Sequence, residues 1–305
     1  MVNTYFDSAT IYYRAFYAVP EKVTAPDGTP SGAVRGFLDM VSTLLVQFPA
    51  TNVAFAWDDD WRPQWRVDLI DSYKTHRLED SDGSDTSIEV VPDNLSPQIT
   101  AIAQILDAIG VARIGDVGHE ADDVLGALVA RSAGQTHVVT GDRDLFQLVN
   151  DKKKVRVVSI TKGVKNLEVV DDAYLVERYG IKGSQYADFS ALRGDPSDGL
   201  PGVKGIGEKT ATSLITKYGS LAKVIAAAGD PASDMSAKLR TSIVAHHDYL
   251  FAAAQVVTVR TDAALPDHWH APATVKDPHA LAQLVSDWGV EKQCGRIVSA
   301  LGINA

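Results

Sequence analysis

The residues most able to do chemistry lie in Gly118-His-Glu-Ala-Asp-Asp-Val-Leu-Gly-Ala-Leu-Val129, where Glu120, Asp122 and Asp123 open what reads as a helix. Val124, Leu125, Leu128 and Val129 follow at helical spacing, so one face of that helix must be buried. A single acid at a helix start is favoured by the dipole and the unpaired N–H groups. Three acids in four positions repel one another, so capping is a poor account of the set. A divalent cation removes the repulsion, and hard oxygen ligands suit magnesium or manganese.

The rest of the chain delivers more carboxylates. Thr4-Tyr-Phe-Asp7 and Asn52-Val-Ala-Phe-Ala-Trp-Asp58 are apolar strands that end in an acid. Thr136-His-Val-Val-Thr-Gly-Asp-Arg-Asp144 runs from a strand into Asp142 and Asp144, and Gly194-Asp-Pro-Ser-Asp198 adds Asp195 and Asp198 on a turn. Ligands of open α/β sheets bind at the carboxyl ends of the strands. Acids from three strand ends and one helix start are therefore expected to converge on one site.

The elements that must position these acids alternate strand and helix up to about residue 170. That pattern predicts an α/β fold with a mostly parallel central sheet flanked by helices. Gly36 to Phe48 and Pro97 to Ile109 read as helices, and Val111 to Ile114 and Val155 to Ile160 as strands. From about Asp171 the chain is mainly helical. The expected units are an α/β core over 1–185, a helical hairpin subdomain over 186–270, and a C-terminal helical segment over 271–305 packed on the core.

Two further stretches carry charge with a purpose to be decided. Arg62 to Arg77 interleaves Trp65, Arg66, Tyr73, Lys74 and Arg77, which suits phosphate contacts with base stacking and equally suits an amphipathic helix with a solvated basic face. Leu200 to Ala211 is a Gly-rich hairpin entering a helix, flanked by Lys204 and Lys209. No strand precedes it, so a dinucleotide site is not expected, but its backbone N–H groups can meet a phosphate. Between these, residues 78–96 hold Glu79, Asp80, Asp82, Asp85, Glu89 and Asp93 with no basic residue. Asp85 stands where a calcium loop needs glycine. This composition predicts poor order without ligand.

The totals exclude several classes. The chain has 305 residues, 45% hydrophobic and 22% charged, as an ordinary globular protein does. Its single cysteine, Cys294, leaves no internal disulfide and argues against structural zinc. No secretory or membrane-length apolar run is present, so a cytoplasmic protein is expected, without membrane contact. The net charge of −10 is weak evidence against a nucleic-acid partner, because acids gathered around metal ions are partly neutralised.

Taken together, Phe6-Asp7 with Arg14-Ala-Phe16, Trp57-Asp58 with Tyr73-Lys-Thr-His-Arg77, the Glu120 block, Thr140-Gly-Asp-Arg-Asp144, and Gly194 to Asp198 running into Pro201 to Thr210 resemble the bacterial and phage 5′–3′ exonuclease and flap endonuclease family. That family includes the N-terminal nuclease domain of bacterial DNA polymerase I, and this chain is similar to a free-standing member. The resemblance implies two or three Mg²⁺ or Mn²⁺ ions. Asp7, Asp58, Glu120 and Asp122 would build one site, and Asp123, Asp142, Asp144 and Asp195 the other, with Asp198 nearby. Lys74, Arg77, Arg14 and Tyr73 would be the catalytic side chains. A helical arch would span about 73–97. A helix–hairpin–helix unit would hold duplex DNA through Gly202, Lys204, Gly205, Gly207, Lys209 and Thr210, with K⁺ at the hairpin and Arg66 as a further DNA contact. The implied partners are DNA with a 5′ flap, nick or free 5′ end and RNA–DNA primer junctions, met by a nucleoid-associated monomer in replication and repair. Gly199 and His119 depart from the family pattern without removing a ligand. The alternative is a non-catalytic protein binding DNA structures on the same scaffold.

Overall fold

The computed structural model describes residues 1–78 and 89–303. Its six strands are β1 (Val2–Asp7), β2 (Asn52–Ala56), β3 (Ala112–Ile114), β4 (Gln135–Thr140), β5 (Val155–Ser159) and β6 (Glu168–Val170). They form one sheet in the order β3-β2-β1-β4-β5-β6, parallel throughout except that β6 runs antiparallel to β5. The mostly parallel α/β architecture expected from the sequence is therefore present. β2 is buried at every position, as a strand covered on both faces must be, which is why it reads as a continuous apolar run.

The helices are α1 (Ser8–Ala18), α2 (Gly32–Gln47), α3 (Gln64–Leu69), α4 (Ser96–Ile109), α5 (Ala121–Arg131), α6 (Asp172–Tyr179) and α7 (Tyr186–Arg193). They continue as α8 (Glu208–Tyr218), α9 (Leu221–Gly229), α10 (Ala237–Ala245), α11 (His247–Val257), α12 (Pro278–Trp288) and α13 (Glu291–Ala300). On one face of the sheet α1, α2, α4, α12 and α13 bury Phe6, Phe37, Leu38, Phe55 and Ile297 in a common core. Phe6 and Phe55 stack there with centroids 4.8 Å apart. On the other face Tyr5, Val138, Leu125, Tyr186 and Phe189 belong to a core that runs on without a break into Leu214, Val224 and Leu250 of α8, α9 and α11. The composition change near 185 is thus not a gap in the packing.

Register decides where the acids emerge. Asp7 pairs with Ala56, two residues before Asp58, and Phe6 pairs with Val139, three before Asp142. Parallel strands in this register release all three acids at the same sheet edge.

Two readings from the sequence need adjustment. Arg62 to Arg77 forms only the six-residue α3 followed by turns and a short 3₁₀ helix, Thr75–Arg77. Of the expected arch, the described residues contribute that 3₁₀ turn, a bridge between Leu78 and Glu89, and the start of α4 at Ser96. Glu79, Asp80, Asp82 and Asp85 lie outside the described residues.

Candidate active site

Asp7, Asp58, Glu120, Asp122, Asp142 and Asp198 line one pocket of about 290 Å³ at the carboxyl edge of the sheet. Asp7 caps α1 by accepting from Thr10 N at 3.1 Å and is held from the other side by Thr140 Oγ1 at 2.6 Å. Asp58 accepts from Ala121 N, 2.8 Å away at the start of α5. Asp142 accepts from Asp144 N at 2.8 Å, and its own N–H donates to Thr140 Oγ1 at 2.8 Å. Asp195 accepts from Ser197 N at 2.9 Å and from Arg193 Nη2 at 3.0 Å, facing the Asp142 side.

Glu120 is the most heavily engaged. Tyr73 Oη donates to its Oε1 at 2.8 Å and Lys74 Nζ to its Oε2 at 2.6 Å. Lys74 is itself held in a left-handed conformation, φ 50°, with its N–H on Asp198 O at 3.0 Å. A lysine in that region is uncommon and costs conformational energy, which the surrounding contacts must offset. Gly199 explains how the turn fits: at φ +72°, a Cβ there would come 2.1 Å from Ser72 O. Glycine is needed for the 72–74 backbone to lie directly on the 198–200 turn. Arg77 Nη2 completes the contact on Asp198 Oδ1 at 3.1 Å.

The electrostatics are those of too many like charges in too little water. Burial pushes Asp58 up to about 7, opposed mainly by Lys74 and the Ala121 N–H. Asp142 keeps an exposed edge, yet loss of water around its carboxyl pushes it up to about 6 against the Asp144 N–H. Asp122 and Asp144 are raised well above the ordinary range, by burial first and then by Asp142. Burial works against the charge of Lys74, but Glu120 beside it holds the ammonium proton well above its usual pKa. This is a set of oxygen donors short of positive charge, and it fits hard divalent cations. Among the described residues no three acidic, His or Cys side chains are arranged to hold an ion as they stand. Threonines, backbone N–H groups and Lys74 hold oxygens of Asp7, Asp58 and Glu120 in this arrangement.

Several expected site residues lie elsewhere. Asp123 is fully buried and bidentate with Arg66, Nη1 at 2.7 Å and Nη2 at 2.8 Å, and it also accepts from the N–H groups of Glu120 and Arg260. It is paired with Arg66 and is not among the residues that line the acid pocket. Arg66 is 3% exposed, donates also to Val256 O, and cannot reach DNA. Tyr73 is buried against Glu120 and positions that carboxylate without entering the pocket. Arg14 sits one layer out, its Nη2 on Thr161 O at 2.9 Å. In the hairpin, Gly202 is closed: its N–H donates to Tyr249 Oη, and a Cβ would meet Arg193 O at 2.3 Å. Gly205 and Gly207 are open, with nothing within 4 Å of a Cβ, and Lys204 and Lys209 are exposed beside Thr210 at the start of α8.

The sequence reading also missed contributors. Thr10 and Thr140 orient Asp7, and Glu89 joins the pocket with Tyr12, Tyr13 and Trp61. Burial raises the Glu89 carboxyl, and Arg77 opposes the shift. The position of Thr140, two residues before Asp142 at the strand end, is the available signal for one of these.

Known proteins place this arrangement in context. Residues 4–180 match the family model described as the 5′–3′ exonuclease, N-terminal resolvase-like domain. Residues 181–280 match that of the 5′–3′ exonuclease, C-terminal SAM fold. A Streptomyces coelicolor protein named 5′–3′ exonuclease is 47% identical over 296 residues, covering 97% of this chain and 98% of that protein. A Mycobacterium tuberculosis protein of the same name is 44% identical over 97% of this chain and 96% of its own length. Among solved structures, T5 5′-exonuclease with bound divalent zinc ions superposes with a TM-score of 0.65 at 16% identity, covering 99% of this chain and 100% of the other. The catalytic core of Rad2 in complex with a DNA substrate gives 0.61 at 18% identity, over 98% and 92%. At these identities the two structures establish the fold.

Proposed function

We propose a metal-dependent reaction for this chain, which belongs to the 5′–3′ exonuclease family: it is a nuclease that hydrolyses phosphodiester bonds of DNA, both from a free 5′ end and at a 5′ flap or nick. RNA–DNA primer junctions in replication and repair are included in this reading, as is a monomeric, nucleoid-associated enzyme. The observation that carries it is the pocket of six carboxylates in which Asp58 is pushed up to about 7 and Asp142 to about 6. Such a set is costly without cations, and hydrolysis of a phosphodiester is the chemistry two cations in one pocket serve best.

Asp7, Asp58, Glu120 and Asp122 would hold one ion and Asp142, Asp144 and Asp195 the other, with Asp198 between them; a third ion would draw on the same donors. Magnesium and manganese both suit an all-oxygen set. When bound, the ions supply water activation and stabilisation of the leaving oxygen. The chain's own residues do the rest. Lys74 and Arg77 bring positive charge to the mouth of the pocket, where the scissile phosphate must sit, and Tyr73 and Arg66 keep Glu120 in place from beneath. The open backbone at Gly205 and Gly207, the α8 N-terminus and Lys204, Lys209 and Thr210 suit a phosphate of the duplex, and K⁺ held at the hairpin would add positive charge there.

The test is cleavage of 5′-labelled flap, nicked duplex and single-stranded substrates with magnesium, manganese or chelator. Cleavage should require a divalent ion. Asp122→Ala or Asp142→Ala should abolish it while flap binding persists. Full activity of both variants would sink the assignment.

A further inference from the structure

Beyond the acid pocket, on the side of Asp142 and Asp195, a groove of about 510 Å³ extends to the antiparallel edge of the sheet. Its floor is Ser159 and Thr161 at the end of β5 and its far wall is Tyr174, Arg178 and Tyr179 of α6. A cavity of this size is in the range of ligand pockets, about 300–1,000 Å³.

Its charges are unusually placed. Arg143 and Arg178 both line the groove with Tyr179, a residue only 6% exposed. Arg178 also lies 5.7 Å from the Tyr179 ring centroid. Two solvent-exposed guanidinium groups thus border one groove. Lys162 stands at the rim, its Nζ 3.0 Å from Glu168 Oε1. Glu168 is shared with Tyr174, and it is the groove's carboxylate outside the acid cluster. The remaining acids, Asp142 and Asp195, belong to the acid cluster and would be neutralised whenever that cluster is filled. The groove is then a concave cationic surface joined to the reaction centre, with hydroxyls of Ser159 and Thr161 2.9 Å apart on its floor.

We propose that this groove is a second phosphate subsite, in which Arg143, Arg178 and Lys162 grip a phosphate of the cut strand next to the scissile one. The assignment rests on the nuclease reading above and extends it to a binding position outside the acid pocket. Guanidinium groups suit the geometry of a phosphate and bind it by charge-assisted hydrogen bonds. Lys162 would exchange Glu168 for the same group. The phosphate has two sources, the 5′-terminal monoester or an internal diester, and the two are separable.

The experiment uses the full chain carrying Arg178→Gln and Lys162→Gln, neither of which touches the acid cluster, after its melting temperature is matched to the parent. Flap and nicked duplexes, with 5′-phosphate or 5′-hydroxyl, are titrated by fluorescence anisotropy in chelator across a salt series. The double variant should bind about tenfold more weakly at low salt and lose about one unit of salt slope, as for one phosphate no longer neutralised. Single-turnover cleavage at saturating DNA should change less than about twofold, since the reacting phosphate is held elsewhere. A loss confined to 5′-phosphorylated DNA assigns the terminal monoester, and an equal loss on both assigns an internal diester. An unchanged slope on every substrate overturns the proposal, and so does a slower cleavage rate with unchanged affinity, which would place these residues with the acids. Because affinity is read without cleavage, a parent protein that binds but never cuts would refute the nuclease reading and leave this one decided by the titration.

Discussion

Asp122 and Asp123 are neighbours on α5 and live in opposite worlds. Asp123 faces inward onto Arg66, with two hydrogen bonds from one guanidinium and two more from backbone N–H groups. Asp122 faces the acid pocket, where burial and then Asp142 and Asp7 raise its proton affinity. One carboxylate has every oxygen satisfied by the protein, and the other meets mainly like charge. The contrast separates two uses of buried charge: a closed ion pair that joins α3 and α5 beneath the site, and an open set that asks for cations from outside.

Each half of that contrast can be broken. The largest effect is expected at Asp122. Asp122→Asn should eliminate cleavage, yet in chelator it should melt at a higher temperature than the parent, because one repelling charge is gone. A lower melting temperature in chelator would mean Asp122 already has a partner. Next comes Arg66→Met, which leaves Asp123 buried without its counter-charge and should cost about 3–5 kcal/mol of stability. Adding Asp123→Asn removes the unpaired charge while keeping an acceptor for the Glu120 and Arg260 N–H groups, and should recover part of that deficit in denaturant unfolding. If the double variant is no more stable than Arg66→Met, the pair is not the reason for the deficit.

A smaller effect separates the two sets by pH. Asp58 and Asp142 are raised in the folded state, to about 7 and about 6. The folded protein therefore binds more protons than the unfolded chain between about pH 4 and 7, so stability in chelator should fall as pH rises through that window. Asp58 contributes at most about 1.4 kcal/mol per pH unit, and Asp142, exposed at its edge, less because water screens it. Saturating magnesium should remove the slope, and a slope indifferent to magnesium would show that these acids are not ligands. The smallest effect lies farther off, at the hairpin. Lys204→Ala with Lys209→Ala should reduce the salt slope of duplex binding by roughly one unit for each phosphate left without its lysine, with the rate on saturating DNA little changed.

Much of this site is legible in the sequence because a parallel sheet converts sequence into position. Strands in register end at one edge, so acids after β1, β2 and β4 have to meet. What cannot be read is which side of α5 each acid takes, since adjacent helical residues differ by about 100° in direction. The motifs point Asp123 to metal and Arg66 to DNA, and each is the other's partner. The pattern of basic and aromatic residues in 62–77 cannot distinguish a surface stripe from a buried guanidinium under Trp65. Gly202 looks like its open neighbours Gly205 and Gly207 until the approach of Arg193 O is seen. Lys74 gives no sign of its left-handed backbone, because that conformation is imposed by Asp198 and Gly199 from more than a hundred residues away.

The unbroken core beneath the second sheet face bears on how this protein could be cut apart or recombined. Tyr186, Phe189 and Leu250 share it with Tyr5 and Val138. A fragment ending near residue 185 would carry half of an interior as its outer surface and should precipitate. A hairpin grafted from a distant relative would have to bring its own matching underside. The breakpoints that inheritance or an engineer can use are thus pushed away from the middle of the chain, and the part that grips travels with the part that cuts.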